Sequence, residues 1–135
     1  MGDGYRVFAQ DVEPLVPTEA WKRAAERFFA TKLEITKAGA NGASITIDGS
    51  VRRVTGRARE EADLRDALAA DTRAGFTGLY DLAERRCKTV WVVEREGDVD
   101  NAALRLAAII ASVALGPILD GDALFGVRTA REKLL

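Results

Sequence analysis

The chain has 135 residues, 47% hydrophobic and 30% charged, a composition typical of a globular protein rather than of a disordered or fibrous one. Its 20 basic and 21 acidic side chains leave a net charge of -1, which excludes a global electrostatic attraction to nucleic acid or to an anionic membrane. The absence of histidine removes imidazole as a base, proton shuttle or metal ligand, and the single cysteine excludes an intramolecular disulfide.

The length fits one domain, so we expect residues 1–135 to share a single hydrophobic core. The N-terminal segment lacks the positive region and long apolar run of a signal peptide, and no segment is long and apolar enough to cross a bilayer. A cytoplasmic protein without a membrane partner is the expectation that follows. Arginine outnumbers lysine and alanine is abundant, a bias that is typical of GC-rich bacterial coding.

The first part of the chain predicts a strand followed by an amphipathic helix. Residues 5–10 are rich in apolar side chains, and two prolines within residues 11–18 place a loop after them. Thr18 is the expected N-cap of a helix in which apolar residues from Trp21 to Phe29 recur at helical spacing. One face of this helix is therefore expected to lie on a sheet.

Three short strands are predicted next, joined by two tight turns. An Asn-Gly pair at residues 41–42 lies between alternating apolar residues and predicts a β-hairpin, and residues 48–50 predict the second turn. We expect the third strand, residues 51–55, at an edge of the sheet. Arg52 and Arg53 would discourage such an edge from pairing with another chain.

Two helices and a central strand are predicted in the middle of the chain. Residues 57–72 are helical by propensity, and apolar residues resume the same spacing after Gly75. Because Gly75 and Gly78 each cost about 1 kcal/mol inside a helix, we predict a break between two helices near them. Residues 88–93 include an uninterrupted apolar run, which is typical of a central strand covered on both faces.

The segment from Ala102 to Leu115 predicts a helix that is apolar almost all the way round. Asp98 or Asp100 is its expected N-cap, and the Gly-Pro pair at residues 116–117 is its expected end. A helix on one sheet face normally leaves roughly half of its circumference polar. The excess of apolar surface implies either a helix in the centre of the fold or one that is covered by another subunit.

The remaining residues predict two short strands and a terminal helical turn. Residues 118–119 and 123–125 flank an Asp-Gly-Asp turn, and the spacing from Thr129 to Glu132 matches a capping box. The predicted order is β-α-β-β-β-α-α-β-α-β-β. We therefore predict an α+β domain with a mixed, mainly antiparallel sheet and helices packed on one face; a ferredoxin-like core is one arrangement that fits.

Arg52, Arg53 and Arg57, with Arg59 beside them, form the main basic cluster of the sequence. Acidic residues follow within residues 60–63, so a solvated edge with local ion pairs is favoured over a patch that binds phosphate or an acidic partner. Because no aromatic residue is interleaved to stack on bases, nucleic-acid binding through this cluster is a weak alternative.

Asp120, Asp122 and Arg128 form the most compact polar set, and they support an alternative function, a small-ligand-binding protein or a carboxylate- and Mg²⁺-dependent enzyme. The acidic residues at 98 and 100 lie about 24 Å away along the helix, too far to share an ion with this set. Helix capping and turn formation explain all four aspartates more simply. No catalytic residue, metal ligand or cofactor is assigned, since the sequence has no histidine, phosphate loop or nucleophile–base pair.

The segment ERRCKTVWVVE, followed by ALRLAAIIASVALGPILDGDALFG, resembles the C-terminal part of small bacterial proteins of unknown function, some of them immunity proteins of toxin systems. The resemblance covers the last third of the chain and defines no catalytic residues. We therefore expect a non-enzymatic protein-binding module of the immunity or adaptor type, with a protein partner and a homodimer as one form. The meander edge with Arg52 and Arg53 and the hairpin at residues 120–127 are the surfaces expected to bind.

Overall fold

The computed structural model describes residues 4–135, which form a seven-stranded sheet and five helices. The strands are β1 (Gly4–Ala9), β2 (Glu34–Lys37), β3 (Gly42–Ile47), β4 (Ser50–Ala58), β5 (Thr89–Glu94), β6 (Ile118–Asp120) and β7 (Ala123–Phe125). The helices are α1 (Thr18–Phe29), α2 (Glu61–Arg73), α3 (Leu79–Arg86), α4 (Asn101–Ala114) and α5 (Val127–Lys133). The predicted order of elements is confirmed, with the terminal helical turn extended into α5.

The sheet has the order β2-β3-β4-β5-β1-β6-β7, and its neighbouring strands in residues 4–135 all pair antiparallel. The α+β class is therefore confirmed, and the sheet is antiparallel rather than mixed. β5 lies between β4 and β1, as its apolar run predicts. A ferredoxin-like core is not confirmed, because β2 to β5 follow one another as neighbours instead of being split by βαβ crossovers.

Helices cover both faces of the sheet, which corrects the expectation of helices on one face. Successive residues of a strand point to opposite faces. Val7 of β1 belongs to the core beneath α1, α4 and α5, whereas Phe8 belongs to a second core beneath α2 and α3. That second core receives Ala67, Ala70 and Ala83 from the helices, so these helices carry only a weak hydrophobic pattern in the sequence.

α4 packs on β1 and contacts both α1 and α5. Ala103, Leu104 and Ile110 are buried by the chain itself, as expected for a helix in the centre of the fold. Leu115, the C-cap residue, differs from them because it is 61% exposed. The fold therefore encloses the apolar circumference of α4, apart from a narrow stripe with Asn101 and Arg105, and leaves the C-terminal end of the helix open.

β4 is an internal strand, so the prediction of an edge at residues 51–55 is wrong. It pairs with β3 on one side and β5 on the other, and the edge strands are β2 and β7. Arg52 is buried beside the N-terminus of α4, where its charge forms an ion pair instead of protecting an edge. Because pairing with β5 continues to Ala58, α2 begins at Glu61 and not at Arg57 as predicted.

Glycine and proline set the helix boundaries close to their predicted positions. Pro17 rather than Thr18 occupies the N-cap of α1, and no side chain caps that helix. The predicted break between α2 and α3 contains Gly75 and Gly78 with φ angles of 89° and 97°, which glycine adopts without strain. α5 begins at Val127, earlier than the capping-box spacing predicts.

Candidate functional site

An apolar cleft of about 310 Å³ lies where the C-terminal end of α4 meets α3 and the start of α5. Because α3 covers one face of the sheet while α4 and α5 cover the other, the cleft bridges the two helical layers. We call it the α4-end cleft. Its apolar walls include Leu79, Leu82, Ala111, Leu115, Pro117 and Val127.

Leu115 ends α4 in a left-handed backbone conformation, with a φ of 60°. Its amide donates a hydrogen bond to the Ala111 carbonyl, and its carbonyl accepts a 2.8 Å hydrogen bond from the side-chain amide of Gln10. The left-handed conformation costs a leucine about 1 kcal/mol relative to glycine. Leu115 is therefore unfavourable for stability in two ways, because its backbone is left-handed and its apolar side chain is exposed in the cleft.

Gly116 follows the left-handed residue instead of adopting that conformation itself. A Cβ atom at position 116 would lie 2.0 Å from the Phe8 carbonyl oxygen and 3.0 Å from Cys87 Sγ. The Phe8 amide donates a 2.9 Å hydrogen bond to the Pro117 carbonyl and holds the two segments at this close approach. Position 116 therefore requires glycine for its contact with β1, and the left-handed turn falls on Leu115.

A second exposed apolar side chain, Phe76, lies in the loop between α2 and α3. The buried Asp71 carboxylate accepts hydrogen bonds from the Thr77 amide at 2.9 Å, the Thr77 hydroxyl at 2.5 Å and the Tyr80 amide at 3.1 Å. Burial opposes ionisation of Asp71, but these hydrogen bonds outweigh it and lower its pKa. The loop is thus fixed with Phe76 70% exposed, three residues before Leu79 of the cleft.

The predicted basic cluster is divided between the two faces of the sheet. Arg52 donates two hydrogen bonds to Asp100, of 2.7 and 2.9 Å, at the N-terminus of α4. Arg57 donates two to Asp63, of 2.6 and 2.8 Å, at the N-terminus of α2 on the opposite face. Each bidentate pair ties the start of a helix to β4, so the two guanidinium groups do not converge on one ligand.

Arg53 and Arg59 complete the basic cluster without forming a shared site. The Arg53 side chain is 70% exposed and lies 3.9 Å from the Glu94 carboxylate. Arg59 instead closes the C-terminal end of α3, where helix carbonyls have no intrahelical partner. Its Nη1 donates to the carbonyls of Ala83, Glu84 and Cys87.

Asp120, Asp122 and Arg128, the alternative polar set, lie in three separate ion pairs. These are Asp120–Arg95, Asp122–Arg73 and Arg128–Glu132. Within residues 4–135, no three His, Cys, Asp or Glu side chains are grouped so that they could hold a metal ion. The structure therefore places this set near one hairpin and α5 without bringing its charges together on a single ligand position.

Asp100 is the N-cap of α4, one of the two residues that the sequence offered for that role. Its carboxylate accepts hydrogen bonds from the Ala103 amide at 3.1 Å and the Glu96 amide at 2.8 Å, in addition to those from Arg52. Burial opposes the charged form, but these hydrogen bonds outweigh it and lower the pKa of Asp100 to about 2. The Asp100 carboxylate therefore has a structural role, at the end of α4 that is remote from the cleft.

Cys87 is a buried thiol between α3 and β5. Burial raises its pKa to about 11, although the Arg59 guanidinium acts in the opposite direction. The thiolate that nucleophilic chemistry requires is consequently not formed near neutral pH. Cys87 packs in the second core beneath α2 and α3 and acts as a small apolar residue.

Sequence reasoning missed the α4-end cleft because its walls come from helices that are distant along the chain. The available signal was Leu115, an apolar residue directly before a Gly-Pro stop, where a helix end is expected to be exposed. The apolar cleft needs the tertiary arrangement of α3, α4 and α5, which no local pattern encodes.

Comparison with protein-family models, with curated proteins and with solved structures gave no match for the chain. Among the helices of residues 4–135, none combines the length and apolar character needed to cross a membrane.

Proposed function

We propose that this chain is a non-enzymatic protein-binding module, of the adaptor or immunity type, that binds a partner protein through the α4-end cleft. The observation that carries the proposal is the exposed, left-handed Leu115 at the mouth of an apolar cleft. Exposed apolar groups that are contiguous mark binding surfaces. Backbone strain such as that at Leu115 is concentrated in proteins at functional positions.

The polar groups around the cleft support binding rather than catalysis. Ser112 lies in the wall, but its hydroxyl donates a 2.6 Å hydrogen bond to the Ile109 carbonyl within α4. No ionisable side chain is among the residues that line the cleft. The cleft therefore offers shape and apolar surface, which suit an apolar side chain or helix of a partner protein.

Small-ligand binding is the second candidate function, and the cleft volume favours it. A volume of about 310 Å³ is at the lower end of the range of small-molecule sites, about 300–1,000 Å³. A ligand for this site would be apolar, because the walls present few groups that could orient a polar one. The Leu115 side chain is 61% exposed, so apolar surface continues outside the cleft, which favours a protein over a small molecule.

A photo-reactive amino acid at position 115, introduced into the chain in its native host, tests the proposal. We expect a covalent adduct with a polypeptide, and we expect its yield to fall when Leu82→Asp is present in the same chain. Val99 is the matched control position, because it is also exposed but lies about 24 Å away along α4. Mass spectrometry of the adduct identifies the partner.

An adduct yield at position 115 that does not exceed the yield at position 99 would contradict the proposal. Adducts with small apolar molecules in place of polypeptides would favour the second candidate. Circular dichroism of each variant checks that the fold is retained, so that a lost adduct reports lost binding.

A further inference from the structure

We propose that the partner that covers the α4-end cleft is a second copy of this chain, packed across a twofold axis with the two α3 helices antiparallel. This inference rests on the proposed function, because it names the partner of the same cleft. It is carried by the charges on the outer surface of α3 and by the apolar groups beside them.

The exposed surface of α3 is acidic at its start and basic at its end. Asp81 lies in its first turn and Arg85 in its last turn, and both are exposed. They are separated by one helical turn and therefore share a face of the helix. Neither side chain forms an ion pair with another residue in the described range, 4–135.

Antiparallel packing makes this charge pattern complementary to itself. In a twofold dimer the same surface of each copy contacts the other, so each contact occurs twice. Asp81 of each copy then lies opposite Arg85 of the other, and the two helix dipoles also oppose each other favourably. Parallel packing would instead place like charges side by side.

The apolar group needed for such a contact lies beside the charged face of α3, since Leu82 is about 60° from Arg85 and about 100° from Asp81 around the helix. Leu79 and Leu82 are three residues apart, line the cleft and are half-buried in the single chain. Leu82 is flanked by Asp81 on one side and faces the open cleft on the other. In the dimer the two Leu82 side chains lie near the twofold axis, and Leu115 of each copy is covered by the other copy.

Other exposed parts of the fold are less suited to a second copy. α4 offers little free surface, since Leu104 and Ile110 pack inside the chain and its open stripe is polar, with Asn101 exposed and Arg105 partly exposed. On the sheet face away from α4, β3 and β4 present the polar side chains Ser44, Thr46 and Arg53 around a single exposed apolar residue, Val51. The α4-end cleft with α3 combines apolar groups with charges that are complementary to themselves in an antiparallel pair.

Sedimentation equilibrium of charge-reversed variants tests the inference. We expect the wild-type chain to dimerise, and we expect Asp81→Arg and Arg85→Asp each to weaken dimerisation by about tenfold, because each variant places like charges in both contacts. An equimolar mixture of the two variants is expected to dimerise as well as the wild type, since every contact between unlike copies then joins opposite charges. Leu82→Asp is expected to abolish dimerisation.

The mixture distinguishes a contact between Asp81 and Arg85 of different copies from an interaction of the two residues within one helix. If Asp81 and Arg85 interacted only within their own chain, mixing the variants would restore nothing, and that result would overturn the inference. A wild-type chain that stays monomeric at its highest soluble concentration would also overturn it. The proposed function survives either result if position 115 still crosslinks to a different protein, and fails with it if no polypeptide is crosslinked.

Discussion

Two neighbouring residues at the end of α4 meet two different structural demands. Gly116 lacks a side chain because the Phe8 carbonyl oxygen would lie 2.0 Å from its Cβ. Leu115 takes the left-handed conformation that glycine adopts at many helix ends. A leucine at this position gives up stability, and we infer that its side chain is kept for binding.

Replacing Leu115 by glycine is therefore expected to separate stability from binding. We expect the free energy of unfolding of Leu115→Gly to be unchanged or up to about 1 kcal/mol higher, because relief of backbone strain offsets the greater entropy of the unfolded chain. Crosslinking or association through the cleft is expected to fall in the same variant. Urea denaturation, followed by the fluorescence of the buried Trp21–Trp91 pair, measures the stability.

A loss of more than about 2 kcal/mol in Leu115→Gly would indicate a buried leucine and would contradict this account. Leu104→Gly on the same helix is the comparison, since Leu104 is buried and its loss is expected to be costly.

Among the connecting elements, the loop between α2 and α3 depends on one buried carboxylate. Asp71 binds both polar groups of Thr77 and so fixes the position of Phe76. We expect Asp71→Asn to lower the free energy of unfolding by about 2 kcal/mol, because the amide oxygen can keep both Thr77 bonds but the amide nitrogen cannot accept the bond that Oδ2 receives from the Tyr80 amide. Asp122→Asn is the control, since its ion pair with Arg73 is exposed and worth little. Equal urea midpoints for the two variants would contradict the role given to Asp71.

The sequence predicted individual elements better than their arrangement. The hairpin between β2 and β3, the break near Gly75 and the central position of β5 follow from local chemistry, and all three are confirmed. The turn of that hairpin spans residues 38–41, with Gly39 in the left-handed conformation, so it does not lie on the Asn-Gly pair itself. The apolar run of β5 already indicated two covered faces. The second helical layer was nevertheless missed, because its core residues from α2 and α3 are alanines such as Ala67 and Ala83, which give a weak amphipathic pattern.

For the whole molecule, stability is expected to fall on acidification. The folded-state pKa of Asp100 is about 2, below its ordinary value of 3.8. A lowered pKa adds stability above the unfolded-state pKa, and this contribution, about 2 kcal/mol for Asp100, is lost between about pH 5 and pH 2. Asp63 and Asp71 act in the same direction, because their hydrogen bonds outweigh burial and lower their pKa values.

Urea denaturation from about pH 7 to about pH 2 measures this dependence. We expect Asp100→Asn to be less stable than the wild type near neutral pH, since Arg52 loses its partner, and to depend less steeply on pH. If the free energy of unfolding of Asp100→Asn falls as steeply with decreasing pH as that of the wild type, the Asp100 carboxylate does not control this dependence.

The site residues that the sequence suggested do not form the candidate site, because Arg52 and Arg57 form ion pairs elsewhere in the folded chain. Arg52 and Arg57 were recognised as charged neighbours, yet they lie on opposite sheet faces and each binds an aspartate. Ion pairs over such separations are not encoded in local spacing. The apolar excess of α4 was the more informative signal, since it predicted a central helix, of which Leu115 is the exposed apolar end.

Solvent accessibility of methyl groups along α4 tests the central claim most directly, namely that the chain encloses this helix except at its C-terminal end. In dilute protein, a soluble paramagnetic agent is expected to attenuate the methyl NMR signals of Leu115 strongly and to leave those of Leu106, Ile109 and Ile110 unaffected. Protection of Leu115 in the dilute chain, or attenuation of Ile110, would contradict the account.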